Sequence, residues 1–409
     1  MGGGAAGLAA AIFTRRFNPS ISVLLLEGAR APGAKILVSG GSRCNVTNAH
    51  VTERDFWGGP PAIVRRVLRA FSVEDTIAFF EEIGVRLREE AGGKLFPVTN
   101  RARDVLDALL RETRRVGARL EPGRRVARID RSPAGFHITA STQDVIAAHV
   151  VLATGGQALP KSGSDGAGYA FAERFGHTIV PTTPALAPLV LDAADPMHAA
   201  LSGVSHDVEV TVRVDEAAAV RLSGALLWTH FGISGPVVLN ASRHWLRARM
   251  EGRAAALTAS FCPGRRFEDV DADWQARARS SPRASLHTTI AAFVPASVGA
   301  AILRRLDLDG AITLAHLARD DRRRLARALV DWPLPVVGSR GYTFAEATAG
   351  GVALAEVDAA SMRSRMCPGL SLVGEVLDVD GKIGGFNFQW AWSSGFVAGR
   401  ALAKGAARA

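Results

Sequence analysis

Apolar residues run unbroken from Leu8 to Phe13, rich in alanine, the pattern of a helix that packs closely on a sheet. The run Val23-Leu24-Leu25-Leu26 then ends at Glu27, which predicts a buried strand of a βαβ unit, since such strands are almost continuously apolar. Between residues 61 and 84, Ile63, Val67, Leu68 and Phe71, then Ile77, Phe79 and Phe80, predict two helices, and Asp104 to Val116 predicts another. Strands are expected at Arg124–Asp130, Gly135–Ala140 and Val145–Leu152, the last running into Ala153-Thr154-Gly155-Gly156. Alternation returns at Val208–Val214 and Leu222–Trp228, and helical spacing at Ala300–Leu306 and Arg322–Leu329. Near the end, Leu370–Val373 reads as a strand, and Phe386–Gly399 as a helix made slim by Ala391, Ser393, Ser394, Gly395 and Ala398.

Ahead of the first helix stand Gly2, Gly4 and Gly7, spaced G-x-G-x-x-G with Ala6 inside the motif. Such glycines give a tight turn, close approach of a pyrophosphate and close packing of helix on strand. The helix N-terminus adds free N–H groups and partial positive charge for the phosphates. Glu27 lies twenty residues after Gly7, where a carboxylate accepts hydrogen bonds from both ribose hydroxyls of an adenosine. An acid there selects an unphosphorylated ribose, hence FAD or NAD rather than NADP at this site. The strand that normally precedes the motif is absent. Leaving out a mid-sheet strand would strand its neighbours' backbone groups, so the expectation is a native start several residues upstream.

A second polar stretch, Gly33 to Asn48, is too small and polar for core. Its backbone N–H groups are expected to wrap a cofactor, with Lys35 and Arg43 meeting phosphate or a substrate anion and Ser39, Gly40 and Asn45 lining the same site. Cys44 is a tentative catalytic thiol beside a structural reading, with no CxxC and no base nearby. Thr154, Gly155 and Gly156 bring the chain back to the cofactor. Gly374-Glu375 ends a strand where an acid can bond a ribityl hydroxyl, and Gly384 and Gly385 let the backbone pass close to a flat ring. Phe386 and Asn387 then open a helix whose N–H groups would face the edge of that ring. Ser162 to Tyr169 reads as structure of the same domain approaching cofactor or substrate.

Charge and cysteine content narrow the class. The net charge is +10, but it is carried almost wholly by scattered arginines without aromatic interleaving, which argues against nucleic acid as partner. Three cysteines, Cys44, Cys262 and Cys367, have no metal-ligand spacing, so no metal is expected and a reducing, cytoplasmic setting is. No segment reaches the roughly 18 apolar residues of a membrane span.

Several motifs together resemble a known family. Gly33-Ala34-Lys35 through Ser39-Gly40-Gly41-Ser42-Arg43-Cys44-Asn45-Val46-Thr47-Asn48, Gly92 to Ala102, Trp228-Thr229-His230-Phe231-Gly232-Ile233-Ser234-Gly235-Pro236 and Gly374 to Ala391 are similar to those of the BaiN/YhiN-like flavoproteins. These form a branch of the glutathione-reductase-like two-dinucleotide-fold superfamily. Ser42 and Trp228 depart from the family's usual glycine and phenylalanine. The expected fold is α/β: a Rossmann-like FAD/NAD(P)-binding domain formed by residues 1–184 and 346–409. Into it, after Pro181 and Pro184, residues 185–345 insert a β-rich substrate domain with a helical subdomain at about 265–335. The implied function is an FAD-dependent oxidoreductase passing a hydride through flavin N5, NAD(P)H-linked, acting on a small organic substrate. An RNA-acting flavoprotein and a non-catalytic flavin sensor are the alternatives. His230, in the Thr-His-Phe-Gly turn, is the tentative acid–base residue, against a turn-stabilising role.

Overall fold

The computed structural model describes residues 1–133, 135–141, 143–195 and 197–406. Backbone contacts divide the chain into Met1–Pro184 with Ala345–Ala409, and Ala185–Phe344.

In the first unit, strands Leu24–Leu26 and Arg119–Glu121 pair in parallel, as do Val150–Leu152 and Leu370–Leu372. Met1 and Gly2 join the two pairs: Gly2 N donates to Leu26 O, Met1 N to Val151 O, and Ala153 N to Met1 O, all at 2.8–2.9 Å. This gives the centre of a Rossmann-like sheet, with the glycine motif following at its edge. The expected strand Val145–Leu152 is split. Val145–Ala147 ends a three-stranded antiparallel sheet with Val126–Ser132 and Gly135–Ala140, while Val150–Leu152 belongs to the parallel sheet. A continuous apolar run does not distinguish one strand from two that change sheets.

The first helix, Ala5–Phe17, packs along the last, Phe386–Ala406. A Cβ on Gly395 would lie 2.8 Å from Ala6 O, and one on Gly399 would lie 2.8 Å from Thr14 N. Only small residues allow backbones this close, which is why the slim face of the last helix was legible. Around the crossing, Phe13, Phe71, Phe79 and Phe396 form an aromatic cluster, with Phe71 and Phe396 stacked at 4.7 Å. The two chain ends thus build one side of the same core.

The second unit is a seven-stranded antiparallel sheet. Its order is Trp332–Leu334, Ala255–Ser260, Ser205–Val214, Ala217–Thr229, Gly232–Ser234, Leu189–Leu191, Val336–Ser339. Helix Pro236–Met250 packs on the face carrying Leu226, Trp228 and Ile233. Helices Phe267–Ser280, Leu286–Ile290, Ala296–Arg305 and Arg319–Val330 add a second apolar layer, in which Trp274 stacks on Phe293 at 5.2 Å.

Two histidines of this unit make its stability acid-sensitive. His206 Nε2 accepts the Trp228 indole N–H at 3.1 Å, which only the neutral ring can do. Burial lowers its pKa and lowers that of His244 to about 4. The folded form therefore resists protons that the unfolded chain takes up from about pH 6.5 downward, so stability falls as pH drops from there through about 4. Thermal melts across this range should show a shallower loss in His244→Gln than in the wild type.

Candidate cofactor site

At the N-terminus the glycines are dictated by backbone collisions. Gly2 has φ +97°, and a Cβ there would lie 2.2 Å from Ala153 O. A Cβ on Gly7 would lie 1.9 Å from Gly2 O. Gly4 differs: a Cβ there would meet nothing within 4 Å. Gly4 is also the N-cap of the first helix and offers no side-chain cap, so the first N–H groups of that helix are left to an incoming acceptor. Glu27 reaches this loop. Its Oε2 accepts from Gly3 N at 2.6 Å and its Oε1 from Ala29 N at 2.7 Å, and each oxygen keeps a lone pair for a hydroxyl. Ala6 packs beneath, 2.7 Å from where a Cβ of Gly374 would stand.

The middle of the site joins residues far apart in sequence. Lys35 Nζ pairs with Glu375 Oε2 at 2.5 Å, and Glu375 Oε1 accepts from Thr348 N at 3.0 Å. Gly156 is required here, because a Cβ would lie 2.4 Å from Thr348 Oγ1 and 3.1 Å from Glu375 Oε1. Gly155 meets Ser164 in the same way, at 2.6 Å. Lys35, expected to meet phosphate or a substrate anion, is paired here with a carboxylate of the chain.

At the far end, Asn48 Nδ2 donates to Gly92 O at 2.9 Å and Gly384 O at 3.1 Å, clasping the two glycine turns. A Cβ on Gly385 would lie 2.4 Å from the Thr47 carbonyl. Lys94 lies beside Gly384. Three residues expected at the cofactor have protein partners here. Arg43 Nη1 donates to both Glu90 carboxylate oxygens at 3.0 Å, and its guanidinium lies 4.0 Å over the Phe96 ring, so its charge is partnered. Asn387 spends both amide atoms on Gly381, at 2.8 and 3.1 Å, and shapes the turn rather than facing a ligand. The Phe386 side chain is buried edge-on to Phe56, leaving only its backbone to the site. Ser39 donates to Ile36 O at 2.9 Å, and Gly40 sits where a Cβ would press on Phe96 and Asn45.

The tentative nucleophile fails on physical grounds. Cys44 is wholly buried, and burial pushes its thiol up to about 12, so no thiolate forms near neutral pH. Iodoacetamide should leave Cys44 unmodified in the native protein and label it only after unfolding, read by peptide mass spectrometry. His230 lies exposed in the turn between two strands of the second unit, edge-on to Phe231 at 5.1 Å.

The sequence reading missed Gln389, which organises the base of the cradle. Its Oε1 accepts from Thr47 Oγ1 at 2.6 Å and Thr76 Oγ1 at 3.0 Å, and its Nε2 donates to Phe71 O, Ser72 O and Ser393 Oγ. The only signal was a polar residue at a buried helical position.

Several buried polar atoms along this cradle have no partner: Asn45 Oδ1, Thr154 Oγ1 and Ser162 Oγ. Unpaired buried polar groups are costly, so their alignment beside the glycine turns fits an elongated, hydrogen-bonding ligand. The open space over Gly4, the carboxylate of Glu27 and the close-approach turn at Gly384-Gly385 fit FAD lying between them. Among the described residues no His, Cys, Asp or Glu cluster could hold a metal, and no helix is long and apolar enough to cross a membrane.

Family and relatives make this chain an FAD-dependent oxidoreductase with a Rossmann-like domain. The chain belongs to the HI0933-like family, whose profile, "HI0933-like protein Rossmann domain", matches residues 1–401. It is 34% identical over 404 residues to the 3-dehydro-bile acid delta(4,6)-reductase of Clostridium scindens, covering 99% of this chain and 98% of that one. It is 31% identical over 405 residues to the ribosomal RNA dihydrouridine synthase of Escherichia coli, covering 98% and 96%. Among solved structures, 3-ketosteroid delta1-dehydrogenase from Sterolibacterium denitrificans superposes with a TM-score of 0.49 at 13% identity, covering 99% of this chain and 98% of that one.

Proposed function

We propose that this chain is an NAD(P)H-linked, FAD-dependent reductase that saturates a ring carbon–carbon double bond activated by a carbonyl. The observation that carries the reading is the end-to-end similarity to two enzymes whose names both describe saturation of such a bond, one in a steroid and one in a pyrimidine. Bound FAD supplies a two-electron carrier able to take up and deliver hydride. The residues of the chain bind and tune it. Free N–H groups after Gly4 receive the pyrophosphate, Glu27 the adenosine ribose, and Glu375, set by Lys35 and Thr348, the ribityl chain. The last helix directs its N-terminus toward the close-approach turn, where partial positive charge favours added electrons.

A small cyclic enone is the first reading for the substrate. One observation favours RNA as the second. Arg319, Arg323 and Arg327 are exposed at successive turns of one helix, about 6 Å apart by its rise. Together with Arg322, Arg323 helps hold the Asp271 carboxyl below its ordinary range, and Arg323 and Arg327 both lie over Phe267, at 5.2 and 5.1 Å. Such a stripe suits backbone phosphates.

Anaerobic mixing of the FAD-loaded protein with NADH or NADPH, followed by a cyclic enone or a uridine-containing RNA, tests both. Bleaching by a nicotinamide and recolouring by the enone is expected. Recolouring by RNA alone would favour the second reading, and absence of bleaching would leave only a non-catalytic flavin protein.

A further inference from the structure

The Thr229-His230-Phe231-Gly232 turn is not used by the cofactor cradle, yet it forms part of a distinct shelf on the second unit. Cross-strand pairing places Thr229, Gly232, Val190 and Gly338 side by side in one row across four strands. Directly paired residues share a face of a sheet, so this row is a floor of small side chains. A Cβ on Gly338 would meet nothing within 4 Å, so the floor is uncovered there.

Arg340 follows two residues later. Its guanidinium lies 4.5 Å from the Phe231 ring and 3.9 Å from that of Phe344, and it makes no ion pair among the described residues. Phe344 is 47% exposed despite its size. An arginine held against two rings has lost much of its freedom, while its in-plane N–H donors remain available. Thr229 Oγ1 is buried without a hydrogen-bond partner. A flat floor, two aromatic rings, a poised guanidinium and an unsatisfied hydroxyl are what a planar ring bearing an electron-rich oxygen requires.

We infer that this shelf is a recognition subsite for an unsaturated ring carrying a carbonyl or an attached oxyanion. Arg340 receives the oxygen, Phe231 and Phe344 the ring, and Gly338 keeps the floor open. The inference rests on the reductase reading for the chemistry of the ligand, which is a polycyclic enone or a pyrimidine nucleotide.

Isothermal titration of the FAD-loaded protein with 4-androstene-3,17-dione and, separately, with uridine monophosphate tests it. The wild type should bind one of the two, and which one identifies the source of the ring. Arg340→Gln should weaken that binding by about tenfold or more, as loss of a charge-assisted contact does. Gly338→Leu has room for its side chain, so it should fold normally by circular dichroism and thermal melt while abolishing ring binding. Unchanged affinity in both variants, or no binding of either ring by the wild type, overturns the assignment. Bleaching of the wild-type flavin by NADH or NADPH without any ring compound tests the reductase reading separately. If bleaching fails while Arg340-dependent binding persists, that reading falls and the shelf stands.

Discussion

Gly4→Asp should leave the apoprotein as stable as the wild type or slightly more so, yet weaken FAD binding by more than about a hundredfold. The stability half follows from position. Gly4 is an N-cap with extended backbone, φ −85° and ψ −170°, and no atom within 4 Å of a Cβ. Aspartate is a preferred N-cap, since its carboxylate accepts the free N–H groups of the first turn. The binding half follows from the same contact. Those N–H groups are the ones a pyrophosphate would use, and the new negative charge would oppose it by about 4 kcal/mol at about 4 Å in a partly screened site. Gly7→Ala should behave differently, lowering both melting temperature and FAD affinity, because its Cβ would lie 1.9 Å from Gly2 O. Thermal melts of the apoproteins and fluorescence titration with FAD separate the two variants. A Gly4→Asp protein that binds FAD normally would remove the pyrophosphate from this helix.

Gln389→Leu should lower the stability of the first unit and its hold on flavin together. The side chain is 1% exposed, and its amide joins Thr47, Thr76, Phe71, Ser72 and Ser393, the Nε2 protons being shared among three acceptors. Leucine fills the volume but leaves Thr47 Oγ1 without a partner, whereas Thr76 Oγ1 keeps Ser72 O, Phe71 O keeps Ser393 Oγ and Ser72 O keeps Thr76 N. One buried hydroxyl left unpaired, with weaker bonds for its neighbours, costs about 1–3 kcal/mol. That corresponds to a drop of about 2–10 °C in melting temperature for a unit of this size. Flavin retention should fall with it, because Thr47 forms the wall against which Gly385 packs. Thr47→Ser, which keeps the hydroxyl, should lose much less. Equal melting temperatures for Gln389→Leu and the wild type would show that the network holds nothing together.

Local rules made much of the cradle legible in the sequence. Glycines such as Gly2, Gly7 and Gly385 answer to collisions within a few residues or with an adjoining strand, and their spacing records this. Glu27 was legible because helix and strand lengths fix its distance from the motif. Pairings across the chain left no such record. Lys35 and Glu375 stand 340 positions apart, so nothing in the sequence recorded their ion pair. Arg43 looked free because its partner, Glu90, lies 47 positions away in a charged strand, Leu-Arg-Glu-Glu, whose sequence does not say which face meets Arg43. Cys44 sits in a polar stretch but folds inward at φ +61°, a turn that composition does not reveal. The order of the seven-stranded sheet was equally hidden, since alternation shows that a segment is a strand and not which strand lies beside it.

The account rests on the two ends of the chain forming one cradle for FAD, and titrating the purified protein with FAD and with FMN tests that directly. One FAD per chain should bind, with a shifted flavin spectrum, while FMN, which lacks the adenosine half we assign to Gly4 and Glu27, should bind far more weakly. Failure to take up FAD, or equal affinity for the two, would contradict it.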